Sequence, residues 1–138
     1  MGGGRVIDRA AREEMRSALI GLLLGRLSPV EFELRVDSSS RDHAIWELLE
    51  AGIAPLYDDT SDSALEIAPE FRPHLERCIA FLGTDLEYTW PRVTGSLAAV
   101  FRSFFWRPWC SPTFERWPFP EDHDVQEIAR LVSARRDR

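Results

Sequence analysis

The sequence predicts an all-α single domain. It would be an irregular bundle of five or six short helices, with an aromatic and proline-rich non-helical segment before the last one. Three observations predict this. Apolar residues recur at three- and four-residue spacing in several separate segments. Residues that start helices stand ahead of those segments. Only one segment alternates as a strand does, and no second convincing strand exists to pair with it.

The first helix is expected from about Ile7 to Leu27, where Ile7, Ala11, Met15, Ala18, Leu19, Leu22 and Leu23 share a stripe. Arg9, Arg12, Glu13 and Arg16 form its polar face. Gly21 and Gly25 weaken it and suggest close contact with another helix. In "SPVEFELRVD", Ser28, Pro29 and Glu31 make a capping box with proline at the first helical position. Phe32, Leu34 and Val36 also alternate with polar residues, so residues 30–37 can be read as a strand. The specific cap decides for helix.

Ser38 to Ser40 break the chain, and "RDHAIWELLEAG" follows as a short helix. Ile45, Leu48 and Leu49 would face inward, with Gly52 just past the end. Pro69 and Pro73 bracket the start of the next helix, whose buried stripe is Leu75, Cys78, Ile79 and Leu82. Thr84 and Glu87 read as a second capping box that starts a new helical turn. Leu97, Val100, Phe101, Phe104 and Phe105 give another helical face. The last helix is expected from near Pro120, with Val125, Ile128, Ala129 and Val132 inward. Its acids, Glu121, Asp122 and Asp124, and its arginines, Arg130, Arg135 and Arg136, sit at the ends the helix dipole favours. Residues 1–5 and 133–138 are expected to be loose ends.

A chain of 138 residues is about one domain long and can fold without metal or disulfide support. The net charge of −6 argues against nucleic-acid binding, which needs a basic face, and fits a basic partner. All 17 basic residues are arginine, a uniformity that reflects codon usage more than any one site. Two cysteines are too few for a disulfide scaffold, so reduced thiols in a cytosol are expected. "MGGGRVIDRAAREEM" is charged where a secretory signal is apolar. "ALIGLLLG" is far short of the ~20 residues of a membrane span.

The stretch "RSFFWRPWCSPTFERWPFP", residues 102–120, carries seven aromatic residues and four prolines. The prolines forbid a regular helix through it. Its rings either pack down over the open end of the bundle or form a protein-binding patch. In the second case Trp106, Arg107 and Trp109 are the candidate anchors. Asp58, Asp59 and Asp62 form an acidic loop that is either solvated or a surface for a basic partner. "DDTSD" lacks the glycine and distal glutamate of a calcium loop. His43, His74 and His123 show no metal-ligand spacing, so neither a metal nor a cofactor is expected. Cys110 has Arg107 nearby but no histidine close in sequence to activate it, and Cys78 lies on an apolar helix face. No catalytic residue is assigned.

"LIGLLLGRLSPVEFELRV" resembles the opening of the small helical self-protection proteins of bacteria, the colicin-like immunity proteins. Those pair a first helix, through a short link, with a capped helix carrying a Phe-Glu step, here Phe32 and Glu33. "RDHAIWELLEAGIAPLYDD" continues the likeness, which spans roughly the first 60 residues. "RCIAFLGTDLEYTWP" is similar to a block in bacterial proteins of no assigned function. The resemblance to immunity proteins implies a cytosolic protein that binds and blocks a toxin, with an acidic surface meeting a basic nuclease domain.

The leading expectation is therefore a small, acidic, non-enzymatic protein that neutralises a toxin by direct binding. It would need no cofactor, nucleic acid or membrane. The alternative is a helical module that self-associates as a homodimer through its aromatic surface, with Trp106 central. A third reading is an enzyme assembled from scattered residues such as His74, Asp85, Glu87 and Cys110.

Overall fold

A computed structural model describes residues 6–37, 39–53, 69–89, 116–120 and 122–136. The described residues are helical, with no strand among them. This bears out the all-α fold.

Helix α1 spans Arg9–Leu23. Asp8 caps it, its Oδ1 accepting from the Ala11 N–H at 3.0 Å. Ala11, Met15, Ala18, Leu19 and Leu22 are buried along one stripe. The helix ends four residues before the expected Leu27 because Gly25 takes a left-handed φ of 75°. The Arg26 N–H then reaches back to the Gly21 carbonyl at 2.8 Å. The Leu27 side chain folds over Gly21, where an added Cβ would meet Leu27 Cγ at 3.0 Å. Both glycines thus serve this turn, where the sequence suggested a contact between helices.

Helix α2, Pro29–Arg35, starts at the expected capping box. The Glu31 N–H donates to Ser28 Oγ at 3.2 Å, and the Ser28 N–H donates to Glu31 Oε1 at 3.0 Å. Helical geometry separates the three alternating apolar residues. Phe32 and Val36, four apart, share the buried side, while Leu34 points the other way and is 80% exposed. A strand would have placed all three together.

Helix α3, His43–Glu47, is capped by Asp42, whose Oδ1 accepts from the Ala44 N–H at 3.1 Å. It continues as a π turn over Leu48–Ile53, so Gly52 lies inside the helical path, not beyond it. Ala44, Ile45, Leu48, Leu49 and Ile53 are buried.

A 3₁₀ turn, Pro69–Phe71, leads into α4, Arg72–Leu82. The expected stripe of Leu75, Cys78, Ile79 and Leu82 is buried, and so are His74, Ala80 and Phe81. This helix packs against both α1 and the last helix, which makes it the centre of the bundle. No helical turn starts at Thr84. Its hydroxyl donates to the Phe81 carbonyl at 2.7 Å and accepts from the Leu86 N–H at 3.2 Å, so it closes α4.

Residues 116–120 form a turn that buries Trp117 and Phe119, and the Trp117–Pro118 peptide bond is cis. Helix α5 spans Val125–Arg136, with Asp124 Oδ1 accepting from the Gln126 N–H at 2.8 Å. Ile128 is buried, and Leu131 and Val132 pack partly against the core. Val125 and Ala129, expected inward, are exposed. The inward face is set by the 128, 131, 132 spacing. One connected cluster of buried apolar side chains draws on each of the α-helices among the described residues and on Trp117 and Phe119. No helix among the described residues is long and apolar enough to cross a membrane.

Candidate functional site

Asp58, Asp59, Asp62, Trp106, Arg107 and Trp109 lie outside the described residues, as does Cys110. The helical face proposed for residues 97–105 lies outside them too. Within the described part, Asp85 is exposed and pairs with Arg9 at 3.3 Å. His74 is instead buried, its ring stacked on Trp117 at 5.0 Å with an angle of 6°.

One buried, multiply bonded charged group was not singled out from the sequence. Arg12 sits on α1, and its side chain is fully buried instead of lying on a polar face. Its Nε donates to Asp42 Oδ2 at 2.6 Å and its Nη2 to Asp42 Oδ1 at 3.2 Å. Asp42 also accepts from the Asp8 and Ala44 N–H groups. The Ser40 hydroxyl donates to Asp8 Oδ2 at 2.9 Å and accepts from the Asp42 N–H at 3.2 Å. The Ala11 N–H, and after it the Ser40 hydroxyl, hold the Asp8 carboxyl below the ordinary carboxylate range. The Phe81 ring lies 5.1 Å from the Arg12 guanidinium carbon. The caps of α1 and α3 are thus one bonded unit.

That unit also closes α4. The Thr84 carbonyl, just past the helix, accepts from Arg12 Nη1 at 3.0 Å and Arg9 Nη1 at 2.7 Å. Helix α4 has no basic residue in its own last turn. Arginines from α1 supply the positive charge that its C-terminal end favours.

A second buried polar group surrounds Trp117. Its indole N–H donates to the Tyr88 hydroxyl at 2.9 Å, and its carbonyl accepts from Arg77 Nε at 2.9 Å. Burial is the largest cause that raises the Tyr88 phenol well above its usual range; the charges of Glu47 and Cys78 add to it. Burial likewise pushes the Cys78 thiol up to about 12. A thiol held protonated is a poor nucleophile. No group of three or more His, Cys, Asp or Glu among the described residues could hold a metal ion.

The outward surface differs. Helix α2 is held firmly: by its capping box, by buried Phe32, and by Arg35 Nε bonded to Glu14 Oε1 at 3.1 Å. Its solvent side carries Leu34 and half-buried Val30, four residues apart. Glu31 and Glu33 flank this ridge on either side, at 100° per residue, and α2 ends at Arg35, with Val36 extended. Leu34 is the most exposed of the large hydrophobic residues in the described part. This surface could be foreseen only once the segment was read as a helix.

No protein-family profile, no curated protein and no solved structure matches this chain.

Proposed function

We propose that this protein is a small acidic cytosolic module that binds a basic protein partner directly, as an immunity or antitoxin-type inhibitor does. One observation carries the reading: among the described residues, seven arginines are bonded within the chain, while several exposed acids are held by backbone N–H groups and not by arginine. The heads of Arg9, Arg12, Arg16, Arg35, Arg77, Arg116 and Arg130 are bonded to carboxylates or backbone carbonyls of the same chain. Exposed Glu31, Asp37 and Asp124 are instead held by backbone N–H groups, which fix a carboxylate without neutralising it. Arg26, Arg41 and Arg72 are exposed, but the balance remains −6. Such a surface speeds the encounter with a basic partner and rejects acidic ones.

The experiment is to isolate the bound partner and measure its association rate across a salt series. Replacing Asp58, Asp59 and Asp62 by Asn tests the loop outside the described residues in the same assay. The association rate is expected to fall steeply with salt and to drop in the triple variant. A rate indifferent to salt would reject electrostatic steering. Co-expression of the chain should also protect cells that express the partner; binding without protection would leave a binding module that is not an inhibitor.

A further inference from the structure

We draw no further inference here: the strongest candidate, the outward face of α2 around exposed Leu34, carries none because nothing among the described residues shows what covers it.

Discussion

Arg12 and Asp42 stand thirty positions apart in the sequence yet meet inside the core through two contacts, 2.6 Å from Nε to Oδ2 and 3.2 Å from Nη2 to Oδ1. Each partner also bonds elsewhere, so α1, α3 and the end of α4 share one junction. Removing one partner leaves the other charged, buried and uncompensated. Arg12→Met or Asp42→Ala should each cost about 3–5 kcal/mol in urea denaturation. The double variant should cost clearly less than the sum of the two. Additive losses, or a single variant near wild type, would show that the pair does not act as a unit.

Phe32 and Leu34 test the geometry of α2 directly. Phe32 is fully buried, and Leu34 faces solvent. Phe32→Ala should cost about 3–5 kcal/mol. Leu34→Ala should stay within about 0.5 kcal/mol of wild type. Comparable losses would mean that the two residues share a face, as a strand would have them.

These two pairs show what could be read ahead of the structure. The capping box at Ser28 and Glu31 is local chemistry, and it fixed α2 correctly despite a competing alternation. The α4 stripe was equally local. Arg12 was legible in part: it lies three residues before Met15 and seven before Leu19, on the buried stripe. Its charge made it read as polar surface instead. That Asp42 would meet it was not legible, because an N-cap aspartate looks the same whether its second oxygen faces water or an arginine from another helix. The Thr84 box failed because its hydroxyl turns back to Phe81 to close α4.

Trp46 and Trp117 should separate by accessibility. Trp117 is buried, with its N–H bonded to Tyr88, whereas Trp46 is 43% exposed on α3. In acrylamide quenching, Trp46→Phe should remove a readily quenched component and Trp117→Phe a shielded one. Tyr88→Phe leaves the indole N–H unpaired and should cost about 1–3 kcal/mol. Ready quenching of Trp117 would mean that the 116–120 turn does not stay seated on α4.

Cys78 predicts the behaviour at high pH. Its thiol is fully buried, and the folded state raises its pKa from 9.0 to about 12, chiefly through desolvation. Above pH 9 the unfolded chain releases this proton and the folded chain keeps it. Rising pH therefore favours unfolding, and stability should fall progressively from about pH 9 toward pH 12, at up to about 1.4 kcal/mol per pH unit. Tyr88, raised in the same direction, adds to the loss at the upper end of the window. A Cys110→Ser background isolates the effect, and Cys78→Ala on that background should flatten the lower part of the slope. In the same background a maleimide should label Cys78 only under unfolding conditions, because the folded chain exposes neither the sulfur nor its thiolate. Rapid labelling at pH 8 in the native state would place Cys78 outside the core and remove the basis for the predicted slope.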